Sequence, residues 1–128
     1  MGYHHVVVDD LDPAPDRPSV QRAIGDAAGL ESLAVNRYEV APGEQVPLAY
    51  HYHDRQEEVF YVLSGTLAVE TPEGTYEVGA DEALAVDPES PQRAHNPGDA
   101  DERVVVLAAG APAVEDAHAY DPDNDHEH

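Results

Sequence analysis

His51-Tyr52-His53-Asp54-Arg55-Gln56-Glu57-Glu58-Val59-Phe60-Tyr61-Val62-Leu63-Ser64-Gly65 joins a metal-ligand pattern to a strand pattern, and its reading decides the fold. On an extended strand, residues two apart point the same way, so the imidazoles of His51 and His53 leave one face together. A carboxylate carried by a following strand completes a two-histidine, one-carboxylate set, the type that holds a divalent transition metal with positions left open. Glu57 and Glu58 both qualify by composition. Glu58 is in phase with Phe60 and Val62, which read as the buried face of a strand ending at Ser64-Gly65, and Glu57 stays as the alternative ligand.

Outward from this stretch the chain continues as short β-rich runs: 33–41, 45–52, 58–63, 66–71, 75–78, 83–87, 92–96 and 103–109. Pro42-Gly43, Ser64-Gly65, Pro72-Glu73-Gly74, Gly79, Pro88 to Pro91 and Pro97-Gly98 punctuate them. Strands so regularly spaced, with no helices between them, predict an all-β antiparallel sandwich or barrel. One helix is expected, over 20–28, with Ser19 as N-cap and Gly29 as its stop. Residues 1–18 read as an arm in which Val6-Val7-Val8 forms an edge strand on the barrel or on a partner. The barrel domain is expected over 19–111. Residues 112–128 read as an acidic, histidine-containing flexible tail, too polar to order itself. His118, His126 and His128 in that tail, like His4 and His5, are read as solvated rather than as ligands.

These residues carry a resemblance. The first motif of the cupin superfamily runs glycine, His-x-His, a glutamate after three or four residues, and a glycine beyond six more. Gly43, His51, His53, Glu58 and Gly65 fit it, with seven residues between Gly43 and His51 where five are usual. The stretch from Gly79 to Asn96 is similar to the second motif, which ends Pro-x-Gly-x-x-His-x-x-x-Asn. An ungapped match on Asn96 puts Gln92 where that family's third metal histidine stands. A glutamine offers a neutral carbonyl oxygen, a weaker donor than imidazole, so Gln92 is read either as a metal ligand or as a group contacting metal-bound water or substrate. His95 is the substitute ligand by type, yet on an extended segment it has the opposite parity to Gln92 and faces outward. The resemblance implies a double-stranded β-helix, that is, a jelly-roll barrel. It further implies one divalent transition metal per chain (Fe, Mn, Ni or Zn), a small-molecule ligand, and a homodimer for which Val6 to Val8 is the candidate contact.

Composition bounds the rest. The 128 residues make one domain. Without cysteine there is no disulfide and no thiolate ligand, so a metal must be held by nitrogen and oxygen. The net charge of −21 sets 27 acidic residues against six basic ones, all arginine. Such mutual repulsion is relieved in concentrated salt, and the composition resembles that of proteins from salt-accumulating microbes such as haloarchaea. Nucleic acid and anionic membranes are poor partners for this surface. No signal peptide or membrane-length apolar run is evident, and Val6 stands where an acylation motif wants Ser or Thr, so a cytoplasmic location is expected.

A metal held in this way can bind O2 beside a substrate, polarise a carbonyl or activate water. The expected function is therefore a small metal-dependent enzyme, of dioxygenase or isomerase type, acting on an oxygen-rich small molecule. Two other classes stay open: a metal-dependent binding or sensing module without chemistry, and a metal-free structural barrel. Tyr38, Tyr50 and Arg37 are the candidates for contacting substrate.

Overall fold

The computed structural model describes residues 2–122. After a 3-10 turn at Val8–Asp10, the elements are β1 (Val20–Ala23), α1 (Ile24–Ala28), β2 (Ala34–Val40), β3 (His51–His53), β4 (Glu57–Ser64), β5 (Leu67–Thr71), β6 (Gly74–Val78), β7 (Ala83–Val86), β8 (Arg93–His95), β9 (Val104–Ala111) and β10 (Ala117–Ala119). Every strand pairing is antiparallel. One wall is a five-stranded sheet in the order β1-β2-β9-β4-β7. The other combines the sheet β6-β5-β8 with the pair β10-β3, joined by single bridges between His51 and Gln92 and between Gln45 and His95. This is the double-stranded β-helix expected from the sequence.

The core follows the period of two. Along β9 buried and half-buried residues alternate strictly from Val104 to Gly110, and along β4 it is Phe60 and Val62 that go under. With Val40 of the same sheet they meet Val46, Leu67, Val69, Val78 and Ala94 from the other wall. Two motif residues prove architectural. Gly65 has φ +80, and a Cβ there would lie 2.6 Å from the Arg103 carbonyl oxygen, so the β4–β5 turn closes against the β9 entrance only with glycine. Asn96 is buried, and its Nδ2 donates to the carbonyls of Val40 at 2.9 Å and Glu102 at 2.8 Å, tying the loop after β8 to β2.

Four expectations are corrected. Residues 20–23 form a strand rather than helix: the free edge of β2 takes them as partner, Val20 opposite Glu39 through Ala23 opposite Asn36. The helix shrinks to Ile24–Ala28 and Ser19 caps nothing, although Gly29 does end it in the left-handed conformation, φ 71. Val6 to Val8 form no strand, and the turn at Val8–Asp10 takes their place. The strand expected over 45–52 survives only as a bridge at Gln45 and as β3, because Pro47 has no N–H to give a ladder. Finally, part of the expected flexible tail forms a strand: β10 pairs with β3, Ala117 opposite His53 and Ala119 opposite His51. Its last histidines, His126 and His128, lie outside the described residues.

Candidate metal centre

β3 and β4 bring the three sequence-chosen ligands together. Candidate donor atoms of His51, His53 and Glu58 all lie within 4.8 Å of one another. The two imidazoles stand edge to face with centroids 4.9 Å apart, while Tyr52 between them turns to the other face and stacks on His118 at 5.2 Å. Glu58 shares the inner face of β4 with Phe60, and Glu57, out of phase, is exposed.

Each imidazole is anchored from behind. His51 Nδ1 lies 3.0 Å from the Ala49 carbonyl oxygen, and His53 Nδ1 lies 2.9 Å from Asp116 Oδ1. Both acceptors can only receive a hydrogen bond, so Nδ1 carries a proton in each ring, and in the neutral imidazole this leaves the Nε2 lone pair free for a metal. Such outer partners fix the tautomer and the direction of metal-ligating histidines. Asp116 is itself held by the amide N–H groups of Arg55 at 2.7 Å and Gln56 at 3.1 Å. Burial would raise its pKa, but these donors and His53 outweigh that and hold the carboxyl down at about 2.

Gln92 is buried and donates from Nε2 to Glu58 Oε1 at 3.1 Å. A carboxylate only accepts, so the amide must present its nitrogen there, which leaves the carbonyl oxygen buried with no protein partner. Burial raises the Glu58 pKa, against the pull of His53 and the Gln92 hydrogen bond. Burial likewise lowers that of His51; the Ala49 hydrogen bond opposes the change, and the charges of His53 and Arg17 add to it. Two imidazoles, a largely enclosed carboxylate and an unpartnered carbonyl oxygen form a donor set that fits a divalent transition metal.

The group lies in a cavity of about 700 Å³ that also contains Tyr38, Asn36, Gln21 and Arg17, with apolar walls from Val46, Phe60 and Ala108. Tyr38 is the one expected substrate-contacting residue found there. Burial raises its phenol pKa, with Arg17 working against this and Glu58 with it. Arg37 lies on the opposite face of β2, paired with Asp9 at 2.7 Å, and Tyr50 packs its ring on Tyr120 at 4.9 Å; neither lines the cavity. Neighbouring strand residues cannot share a face, so Tyr38 pointing in sends Arg37 out. His95 is likewise out of phase: Gln92, Ala94 and Asn96 are buried in alternation with it, and it is absent from both the donor group and the cavity wall.

Asp116 and Arg17 were not found from sequence. For Asp116 a signal exists in the alternation of small and aromatic residues at Ala117, His118, Ala119 and Tyr120, a short strand pattern inside the polar tail. Arg17 carries none beyond being one of six cations in an acidic chain.

The sequence description of the Cupin domain matches residues 36–110. The polyketide synthase CurC of Streptomyces cyaneus is 34% identical over 82 residues, 64% of this chain and 49% of that protein, so the chain spans about half the length of this curated relative. Among solved structures, the polyketide cyclase RemF from Streptomyces resistomycificus superposes with a TM-score of 0.74 at 20% identity, covering 98% of this chain and 94% of that one. A sugar phosphate isomerase of the cupin superfamily from Silicibacter pomeroyi gives 0.75 at 22% identity, over 92% of this chain and 82% of the other. At such identities the likeness is one of fold. With more than half of its length matched by the family description, and the jelly-roll walls in place around it, the chain belongs to the cupin domain family.

Proposed function

We propose that the protein holds one divalent transition metal through His51 Nε2, His53 Nε2, Glu58 and the Gln92 carbonyl oxygen, and that it is an enzyme of isomerase or cyclase type. Its substrate is a small, oxygen-rich molecule with an enolisable carbonyl. The observation that carries this reading is the anchoring of both imidazoles at Nδ1, by Ala49 and Asp116, beside the half-buried Glu58 carboxylate. Such a metal, when bound, supplies Lewis-acid polarisation of a carbonyl oxygen. Asp116 keeps the His53 ring in one tautomer, and Gln92 keeps Glu58 in place. Tyr38, kept protonated by burial, donates a hydrogen bond to a substrate oxygen. Val46, Phe60 and Ala108 supply apolar wall that excludes water from the bound molecule. The names of the relatives, a sugar phosphate isomerase and polyketide-processing proteins, support carbonyl chemistry over O2 chemistry.

Metal analysis of protein purified without a polyhistidine tag, beside His51→Ala, tests the site: about one ion per chain in the parent and near none in the variant is expected. Incubation of the metal-loaded protein with fructose 6-phosphate and with simple 1,3-diketones in D2O tests the reaction class. Metal-dependent deuterium uptake beside a carbonyl is expected. O2 consumption without such uptake would make the protein an oxygenase, and inertness across the panel would make it a binding module.

A further inference from the structure

Of the six arginines, Arg22, Arg37, Arg93 and Arg103 each pair with a carboxylate, and Arg55 is exposed to water. Arg17 is different. It is half-buried in the cavity wall, and among the described residues no carboxylate lies within ion-pair distance of it. Among the described residues its one hydrogen bond runs from an Nη to the Val46 carbonyl at 3.3 Å, and its Nε is buried with no acceptor there. A part-buried cation left without an anion is costly, and this chain has 27 acidic residues from which a partner could have come.

The same cavity holds two more buried polar atoms without protein partners, Gln21 Oε1 and Gln92 Oε1, so half of the six such atoms among the described residues face one space. Buried polar groups are ordinarily satisfied, and a cluster of exceptions in one cavity points to a ligand. The guanidinium presents a planar fork of N–H donors that matches a carboxylate or phosphate. Arg17 lines the same cavity as Tyr38 and His51, so it shares that space with the proposed metal and phenol.

We propose that Arg17 is the anion-recognising residue of the cavity, taking the carboxylate or phosphate of a small organic acid whose other, oxygen-bearing end lies over His51, His53 and Glu58. The inference rests on the substrate-site reading above and names the substrate class: a monoanionic or dianionic oxyanion, not a neutral polyol or ketone. Gln21 Oε1 accepts a hydrogen bond from a hydroxyl near the anionic group. In a protein of net charge −21 the approach of an anion is otherwise unfavourable, so a single cation inside the cavity separates acids from their neutral analogues.

Titration calorimetry with two matched probe pairs, salicylate against salicylamide and glucose 6-phosphate against glucose, tests this with zinc-loaded and with metal-free protein at one fixed salt concentration. The parent should bind the acid of at least one pair more tightly than its neutral partner by roughly tenfold or more, the scale of a charge-assisted hydrogen bond. The pair that shows it tells carboxylate from phosphate. Arg17→Gln should erase the preference and Arg17→Lys should keep part of it. Arg55→Gln, which changes net charge equally at an exposed position, should leave it intact. No preference in the parent for either acid, or a preference that survives Arg17→Gln, overturns the proposal. The metal arm keeps the two readings apart: binding indifferent to zinc but dependent on Arg17 sinks the metal reading alone, whereas zinc-dependent binding blind to Arg17 sinks this one alone.

Discussion

His53 is held from behind by Asp116, 63 positions later in the chain, and that contact carries the strongest residue-scale prediction. Asp116→Asn should weaken metal binding by about 10- to 100-fold, as loss of an outer-shell partner does; competition against a chelator of known affinity measures it, and an unchanged affinity would show that the ring needs no such anchor. The same carboxyl sets an acid limb on stability. Its folded-state pKa of about 2 lies below its ordinary 3.8, so the folded state gains from the ionised form above 3.8 and loses that gain as the pH falls through about 2. Melting of the metal-free parent and of Asp116→Asn should therefore differ at pH 5 and converge on acidification, whereas a constant gap would deny the carboxylate this role. His51, His53 and Glu58 were legible because strand parity is a local property of the sequence. Asp116 was not, since its partner is set by where the chain returns. The same parity, applied to Arg37 beside Tyr38, would have removed Arg37 from the site in advance.

Elements were legible where turn signals and alternation agreed, as in β2, β4, β5 and β9, and misread where long-range pairing decided. Val20 to Ala23 has a cap-like serine before it and helix formers within it, yet the open edge of β2 captures it as β1. β10 is the converse: residues too polar to fold alone are ordered by pairing with β3, by the Tyr50–Tyr120 and Tyr52–His118 ring contacts, and by the hydrogen bond between His118 Nε2 and Asp54 Oδ2 at 2.7 Å. Two glycine turns provide a matched test. At Gly65 an added methyl meets backbone at 2.6 Å besides taking an unfavourable φ, whereas at Gly29, φ +71, it meets open space. Gly65→Ala should cost about 2 kcal/mol or more and Gly29→Ala about 1 kcal/mol. Urea unfolding of both variants checks the order, and equal losses would mean that the β4–β5 turn is not pressed against β9.

For the whole molecule the charge distribution sets the behaviour. Three of the six arginines gather on one carboxylate: Glu39 takes Arg22 at 3.2 Å, Arg37 at 3.6 Å and Arg103 at 3.1 Å. Few cations are left to offset the remaining acidic surface. Screening shortens from about 10 Å at 0.1 M salt to about 3 Å at 1 M, so the unfolding midpoint should rise as KCl increases over that range. A midpoint indifferent to KCl would count against salt adaptation. The barrel class was legible at this scale because evenly spaced turns without helices admit few architectures. The cavity was not, because it is assembled from β1, β2, β3, β4, β9 and the returning chain end at once. The central claim is that His51, His53 and Glu58 clamp one ion. Anomalous scattering from a crystal grown without added metal tests it most directly. The account predicts a single strong peak within bonding distance of both Nε2 atoms and the Glu58 carboxylate; a crystal with no peak there, or with the ion held elsewhere, would contradict it.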